Sequence, residues 1–294
     1  MSDKRKGVSF SVLTSLMLGF LPVLMVLVLE LVNFETMNVV LSGFSSVFFM
    51  LFFVLAKKRH YLVVLFRNWK KLSLLGLLGT AGFLLYTYGL LLAGPVNAGF
   101  LLQFTAVFTI LFGVVFLKER FTRQEGLGVV AAVVGVFVLA YGHFDVELVS
   151  TVAVLCAAVL FASSNLISKV YVKNINPLSL AGGNALFEFL FLFAYAFLFG
   201  KLQVAIPTVA FAYAIVGAFT GGFLGFILFF KALEVYEVSK VASIRTAEPF
   251  LTAIFSFAVL ALTPTVNQLA GGILIVIGVI TLSLAKQKKP ADPQ

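Results

Sequence analysis

The chain has 294 residues, of which 61% are hydrophobic and only 11% are charged, with a mean hydropathy of +1.10 and a formal net charge of +9. Soluble domains hold roughly half apolar and a quarter charged residues, so this composition excludes a water-soluble enzyme and a disordered or fibrous chain. Its uncharged runs are long enough to cross a bilayer, which takes about 20 apolar residues per helix. The sequence therefore predicts an all-α polytopic membrane protein.

Residues that commonly carry out catalysis or bind metals are scarce. Cys156 is the single cysteine, so neither an intramolecular disulfide nor a cysteine-based metal cluster is expected. The two histidines, His60 and His143, are far apart, and the chain has no phosphate-binding loop of the G-x-x-x-x-G-K-[ST] type. We therefore expect no enzyme activity, no metal, no cofactor and no ATP hydrolysis by that route.

Hydropathy divides the chain into ten apolar segments, separated by breakers such as Gly94-Pro95. The runs are continuous instead of alternating, which favours helices over the strands of a membrane barrel. The first segment follows Lys4 to Lys6 as a signal peptide would, but its length predicts a helix that is retained. The segments, numbered 1 to 10, are 8–29, 37–56, 72–92, 96–117, 126–142, 151–170, 178–199, 209–230, 240–262 and 267–285.

The lysine and arginine distribution predicts the orientation of the segments, because cytoplasmic loops carry an excess of these residues. With the N-terminus inside, 19 of the 21 fall in cytoplasmic stretches, whereas Lys201 lies outside and Arg245 lies within a segment. The outer loops hold Glu35, Asp145 and Glu147. The positive charge therefore indicates membrane topology and contact with anionic lipid, not nucleic acid. We expect a multi-pass protein of the cell (inner) membrane with both termini cytoplasmic.

An internal repeat relates the two halves of the chain. Ala98–Leu117 aligns with Ala242–Ala261 without a gap, and after a one-residue shift the glycines of segment 5 match those of segment 10. These pairs are Gly128 with Gly271 and Gly135 with Gly278. An odd number of helices in each repeat inverts the second copy, as in many transporters with a midplane substrate site. The predicted fold is ten transmembrane helices as two inverted five-helix repeats, residues 8–142 and 151–286, with a cytoplasmic tail at 287–294.

Two short motifs, together with the glycines of segments 5 and 10, carry a resemblance to a known family. Segment 4 ends in Phe116–Thr122 (FLKERFT), and segment 9 contains Ala247–Phe250 (AEPF). Over nearly its whole length the chain resembles EamA-type carriers of the drug/metabolite transporter superfamily, whose motifs are L-G-E-R-hydrophobic-T and E-P-hydrophobic. It departs from that pattern at Thr105, Lys118 and Thr263, where proline, glycine and an acidic residue are usual. The resemblance implies a cavity surrounded by segments 1, 3, 4, 6, 8 and 9.

Segment 9 places two charged residues within the predicted bilayer, where each costs about 2.5–3.5 kcal/mol. Arg245, Glu248, Thr252 and Ser256 follow at spacings of 3, 4 and 4, which puts them on one helix face. Glu248 lies roughly 12 Å in from Lys240, near the midplane. Two interpretations stay open: a structural ion pair, or a site that binds a charged substrate or takes up a proton.

Other segments also carry polar side chains, which in membranes often join helices. Glu188 lies midway along segment 7, which the resemblance places at the periphery, so a hydrogen-bonding role competes there with proton coupling. The candidate substrate-binding residues are Arg245, Glu248, Thr252, Gln103, Thr105, Tyr86 and Asn165. The candidates for proton coupling are Glu248 and Glu188.

These observations predict a secondary transporter that moves a small organic metabolite, such as an amino acid, outward by alternating access. A phosphate ester would need several convergent cations, and only Arg245 lies clearly within a span, with Glu248 placed to offset it. A membrane channel or a lipid-translocating protein is the alternative. The expected partners are a small-molecule substrate and the bilayer, without nucleic acid, for a monomer or homodimer.

Overall fold

The computed structural model describes residues 3–58, 60–117, 122–139, 144–172, 174–235, 241 and 244–287, and every regular element in these ranges is helical. Six helical stretches among them are long and apolar enough to cross a membrane, as a polytopic membrane protein requires. The elements are α1 (Asp3–Leu29), α2 (Phe34–Leu55), α3 (His60–Arg67), α4 (Trp69–Leu102), α5 (Phe104–Leu117), α6 (Arg123–Leu139), α7 (Phe144–Tyr171), α8 (Pro177–Leu198), α9 (Thr208–Gly217), the π-helix π1 (Ala218–Gly225), α10 (Phe226–Val235), α11 (Glu248–Leu260) and α12 (Val266–Gln287).

The predicted segments 3 and 4 follow each other without a loop. Segment 3 and the first part of segment 4 belong to α4, which is divided at Gly94, where φ is +76° and ψ is 172°. Glycine adopts this conformation without steric cost, and Pro95 then starts the next helical stretch. A single turn at Gln103 separates that stretch from α5. Segment 4 is therefore a helix interrupted near its middle.

Three further features differ from the predicted segments. Segment 8 is α9, π1 and α10 in succession. In segment 9 the described residues Val241, Ile244 and Arg245 are helical, and a turn at Thr246 and Ala247 separates them from α11. The short helix α3 occupies what the sequence analysis assigns to a loop. Residues 118–121 of the predicted basic turn and the predicted tail beyond residue 287 lie outside the described residues.

Helices α6 and α12 start with the same local structure. At the start of α6, the Thr122 backbone N–H donates to Glu125 Oε2 at 2.6 Å, and the Glu125 N–H donates to Thr122 Oγ1 at 3.2 Å. Thr265 and Gln268 make the reciprocal pair before α12, at 2.9 and 3.2 Å. Such capping boxes satisfy backbone N–H groups that a helix start leaves unpaired. The two boxes are in register with the glycines that the sequence repeat aligns.

The helices pack in three main groups. Helix α1 lies against α11 and against α9, π1 and α10, while α4 lies against α7 and α8. Helices α6 and α12 pack chiefly against each other. Buried side chains such as Met25, Leu90 and Phe100 fill the space where α1, α4, α5 and α7 meet. This arrangement places the first half of α11 between α1 and α4.

Candidate substrate site

The charged pair predicted in segment 9 is formed. Arg245 Nε donates to Glu248 Oε1 at 2.6 Å and Arg245 Nη2 donates to Oε2 at 3.2 Å, a two-pronged contact. The guanidinium carbon also lies 4.6 Å from the centre of the Phe229 ring on α10, within cation–π range. The side chains of Arg245 and Glu248 remain 28% and 15% exposed. The pair therefore stabilises its own charges while staying accessible.

An interruption of the helix positions this pair. Thr246 and Ala247 form a turn, and α11 begins at Glu248 with Pro249 in its first turn. Proline has no N–H to donate and fits the first turn of a helix. A glutamate at this place also interacts favourably with the positive end of the helix dipole. The carboxylate thus lies at a helix N-terminus inside the span.

Helix α1 packs closely against α11 just beyond the pair. Thr252, only 2% exposed, donates its hydroxyl to the carbonyl oxygen of Gly19 at 2.9 Å. A Cβ on Gly19 would lie 3.0 Å from Leu251 Cβ and 3.1 Å from the Glu248 carbonyl oxygen. The small residue therefore allows the two backbones to approach.

The fourth predicted segment reaches the same region. A Cβ on Gly99 would lie 3.6 Å from Pro249 Cβ, and the rings of Phe100 and Phe250 meet edge to face at 5.3 Å. On the other stretch of α4, Tyr86 is 5% exposed and lies close enough to Glu248 for an electrostatic interaction. The structure thus brings Tyr86, Arg245, Glu248 and Thr252 into one neighbourhood.

Gln103 and Thr105 lie on either side of the start of α5. Gln103 is the turn residue between α4 and α5, and its N–H bonds to the Phe100 carbonyl at 3.2 Å. The Thr105 hydroxyl oxygen is buried without a hydrogen-bond partner in the described part of the chain. Under the gap-free repeat alignment, the first residue of α5, Phe104, corresponds to Glu248, the first residue of α11. Both interrupted segments therefore resume their helices at equivalent positions.

The buried hydroxyl groups of α1 are a feature that the sequence analysis missed, whereas Ser256 on α11 belongs to the polar face that it identified. Thr14 and Ser15 on α1 and Ser256 on α11 are at most 2% exposed, and their oxygens have no partner among the described residues. Buried polar atoms are normally hydrogen-bonded to protein or water. Serine and threonine residues within an apolar segment are the sequence signal for such groups. Helix spacing alone does not show which neighbouring helix their hydroxyl groups face. They add unsatisfied polar groups to the two helices that meet at Glu248.

Asn165 on α7 is exposed, whereas residues on the same face earlier in the helix are buried. Val154 and Ala158, both 0% exposed, precede it by eleven and seven residues, which are about three and two helical turns. The outward face of the same helix carries Val152 and Cys156, both exposed. This face of α7 therefore becomes exposed at Asn165. In the described residues no hydrogen bond or ion pair links Asn165 to the Arg245–Glu248 pair.

Glu188 lies apart from that pair, on α8 where it crosses α4. Its Oε2 accepts a hydrogen bond from Asn184 Nδ2 at 3.3 Å, and its carbonyl accepts one from the Thr80 hydroxyl at 3.3 Å. Asn184 and Glu188 are four residues apart, so they lie on one face of α8. The two carboxylates predicted to couple protons thus occupy different environments.

The loop after α1 is tied to the loop after α8. Asn33 Nδ2 donates to the Lys201 carbonyl at 2.8 Å, and the Gln203 N–H donates to Thr36 Oγ1 at 2.8 Å. The Asn33 N–H in turn donates to Gln203 Oε1 at 3.2 Å. These contacts join the N-terminal end of α2 to the C-terminal end of α8.

Comparison with known proteins adds the family. The model of the EamA-like transporter family matches residues 5–141 and again residues 149–284. A Rickettsia prowazekii (strain Madrid E) S-adenosylmethionine uptake transporter is 27% identical over 261 residues, covering 84% of this chain and 85% of the relative. Bacillus subtilis (strain 168) YyaM, an uncharacterized transporter, is 26% identical over 222 residues, 71% of each chain. A crystal structure of a protein with 17% identity superposes with a TM-score of 0.70 over 98% of this chain and 99% of its own, which shows the shared fold.

The six long apolar helical stretches define a polytopic helical membrane protein. Because the family model covers most of its length in two matches, the chain belongs to the EamA-like transporter family. It is a membrane transporter of the drug/metabolite type, as the resemblance in the sequence predicts.

Proposed function

We propose that the protein is a secondary carrier of a small zwitterionic or neutral metabolite, an α-amino acid or a derivative of one. The observation that carries this proposal is the accessible Arg245–Glu248 pair at the helix start within segment 9. Arg245 offers a partner for a carboxylate and Glu248 a partner for an ammonium group. A zwitterion could therefore exchange with the internal pair without leaving net charge in the membrane.

The same charges argue against phosphorylated cargo. Recognition of a dianionic phosphate ester uses several convergent cations, whereas Glu248 and Phe229 already engage Arg245. The relative from Rickettsia prowazekii is named for uptake of S-adenosylmethionine, a compound that carries an α-amino and an α-carboxylate group. That relative agrees with the proposed chemical class, but it does not supply the direction of transport.

We propose outward transport by alternating access between two inverted repeats. Three features support this mechanism: the two family matches, the equivalent helix breaks at Phe104 and Glu248, and the matching capping boxes of α6 and α12. In the predicted topology, the Asn33 and Thr36 contacts close the outer end, and the exposed Asn165 lies in the half of segment 6 that is nearer the cytoplasm. This conformation would load substrate from inside the cell.

A thermal-shift screen of the purified protein tests the substrate class, since a ligand of the native state raises apparent stability by RT ln(1 + [L]/Kd). The panel contains amino acids, S-adenosylmethionine, nucleosides and sugar phosphates. We expect stabilisation by a member of the first two groups and none by sugar phosphates. Stabilisation by a sugar phosphate alone would overturn the proposed class.

Counterflow in proteoliposomes then separates a carrier from the alternatives. A carrier gives saturable uptake that requires substrate on the opposite side, which a channel does not. The charge-neutral double variant Arg245→Gln with Glu248→Gln should abolish counterflow. Glu30→Gln, on the exposed turn after α1, is the matched control and should leave it unchanged. Non-saturable flux, or movement of labelled phospholipid instead, would favour a channel or a lipid-translocating protein.

A further inference from the structure

The carboxyl group of Glu188 lies directly on the backbone of α4. A Cβ on Gly79 would be 2.9 Å from Glu188 Oε2 and 3.6 Å from Asn184 Oδ1. Glu188 is the twelfth residue of α8, about 16 Å from Pro177 along the helix axis. This depth places the carboxyl group in the apolar interior of the membrane.

No cation in the described part of the chain lies within salt-bridge distance of Glu188, unlike Glu248, which Arg245 neutralises. The helices packed against α8 are α4, α2, α10 and α3. On α4, the basic residue nearest to Gly79 along the helix is Lys71, which lies eight residues or about 12 Å before it. The remaining titratable groups on these elements lie toward the helix ends or on other turns: Lys70, Tyr86 and Tyr88 on α4, Glu35 on α2, Lys231 and Glu234 on α10, and His60, Tyr61 and Arg67 on α3. On α8 itself, Tyr195 is two turns away.

Asn184 supplies the second observation. Its Nδ2 donates to Glu188 Oε2 at 3.3 Å, yet its own Oδ1 is buried without a donor among the described residues. A carboxylate can only accept hydrogen bonds, whereas a protonated carboxyl can donate one. A proton on Glu188 would therefore satisfy Asn184 Oδ1 and also remove an unpaired charge from the membrane.

We propose that Glu188 is a proton-binding site, in which the neutral carboxyl forms a two-way hydrogen-bonded pair with Asn184 and rests on Gly79. In this pair, the Asn184 Nδ2–H donates to one carboxyl oxygen of Glu188. The carboxyl O–H of Glu188 donates in turn to Asn184 Oδ1. Thr80, which donates to the Glu188 carbonyl oxygen, holds α4 in place beside this pair.

The position of this site gives it a role in transport, a step that rests on the proposed carrier function. Gly79 belongs to the first of the two regions that the family model matches, residues 5–141, and Glu188 belongs to the second, residues 149–284. Movement of one matched region against the other would separate α4 from α8 and admit water to the carboxyl group of Glu188. Glu188 would then release its proton, so that closing the contact and binding a proton become coupled.

Labelling with dicyclohexylcarbodiimide tests protonation without a known substrate, because this lipid-soluble reagent modifies protonated carboxyl groups in apolar surroundings. Mass spectrometry of the full chain in detergent should find Glu188 modified and Glu248 not modified. Above the titration midpoint, modification should fall about tenfold per pH unit. Equal modification of both glutamates, or no dependence on pH, would overturn the site.

An infrared measurement detects the protonated carboxyl group of Glu188 even if the carbodiimide does not reach it. The wild type should show the carbonyl band of a protonated carboxylic acid, and Glu188→Gln, which resembles the protonated side chain, should lack it. An unchanged band would overturn the proposal.

In proteoliposomes that show counterflow, Glu188→Gln should keep exchange but lose accumulation driven by a pH gradient. Retained accumulation would overturn the coupling step, and absence of counterflow in the wild type would overturn the proposed function while the labelling still decides the site.

Discussion

Gly128 on α6 and Gly278 on α12 lie backbone to backbone. A Cβ on Gly128 would be 2.7 Å from the Gly278 carbonyl oxygen, and a Cβ on Gly278 would be 2.5 Å from the Gly128 carbonyl oxygen. Gly135 and Gly271 form the same contact at 2.7 and 2.6 Å. The sequence repeat aligns Gly128 with Gly271 and Gly135 with Gly278. Each glycine therefore contacts the counterpart of the other glycine on its own helix, as two antiparallel copies would.

This crossing predicts that alanine is not tolerated at Gly128 or Gly278. Alanine normally stabilises a helix relative to glycine by up to about 1 kcal/mol. Here the added methyl would press on backbone that cannot move aside, and we expect destabilisation of about 1–3 kcal/mol, typical of overpacking. The thermal unfolding midpoint of each variant in detergent measures the effect.

Gly99→Ala is the matched control for this prediction. The nearest atom to its added Cβ is 3.6 Å away, an ordinary contact distance. Its melting temperature should be equal to that of the wild type or higher. If Gly128→Ala behaved like Gly99→Ala, the close packing of α6 on α12 would be refuted.

The Arg245–Glu248 pair predicts unequal effects of single and double substitutions. Glu248→Gln leaves the guanidinium without a charged partner, and breaking a buried pair costs about 3–5 kcal/mol, less where the groups are partly exposed. Adding Arg245→Gln removes the orphaned charge and should restore part of the lost stability. Melting temperatures of the two single variants and the double variant form a complete cycle. Additive losses would show that the two charges do not interact.

The hydroxyl of Thr252 is predicted to hold α11 on α1. Thr252→Val keeps the shape of the side chain but removes the donor to the Gly19 carbonyl, at a cost of about 1 kcal/mol. Thr252→Ser keeps the donor and should be closer to the wild type. Chemical unfolding in detergent compares the two variants. A valine variant as stable as the serine variant would mean that the hydrogen bond contributes nothing.

Trp69, the only tryptophan, is 53% exposed at the start of α4, beside the exposed Phe66 of α3. Lys70 lies 5.7 Å from its ring centre. Tryptophan next to a basic residue is typical of the membrane–water interface. Lipids brominated near the headgroup should therefore quench its fluorescence more than lipids brominated near the bilayer centre. Trp69→Phe gives the background signal, and stronger quenching from the bilayer centre would contradict this position.

The predicted topology can be checked by cysteine accessibility in a Cys156→Ser background. A cysteine at Asp145 should react with a membrane-impermeant maleimide in intact cells. A cysteine at Lys70 should react only after permeabilisation, because the basic residues predict a cytoplasmic location. If the cysteine at Asp145 reacts only from the cytoplasmic side, the predicted topology is inverted.

Features that depend on local spacing could be predicted from the sequence. Arg245 and Glu248 are three residues apart, so helix geometry alone puts them on one face. Thr122 and Glu125, like Thr265 and Gln268, are spaced as capping boxes, a signal that is visible in the sequence although the predicted segments began later. Charge and hydropathy were sufficient for the membrane class.

Features that depend on contacts between distant segments could not be predicted. Nothing local to Phe229 indicates that it lies over Arg245, and Gly19 resembles any other glycine until Thr252 bonds to its carbonyl. Apart from Thr220, the eight residues of π1 are apolar or glycine, with no sequence signal that distinguishes π from α hydrogen bonding. Such choices are decided by tertiary packing, which periodicity does not encode.

The π-helix has a consequence for residues beyond its own span. In π1 each hydrogen-bonded turn holds one residue more than in an α-helix, which fixes the rotation of α10 relative to α9. Deleting one residue from 218–225 would turn every later side chain of that segment by about 100°. Phe229 would then leave the guanidinium of Arg245, although neither residue had been altered. The chain length between Gly217 and Phe226 is therefore as much a determinant of the charged site as the side chains that form it.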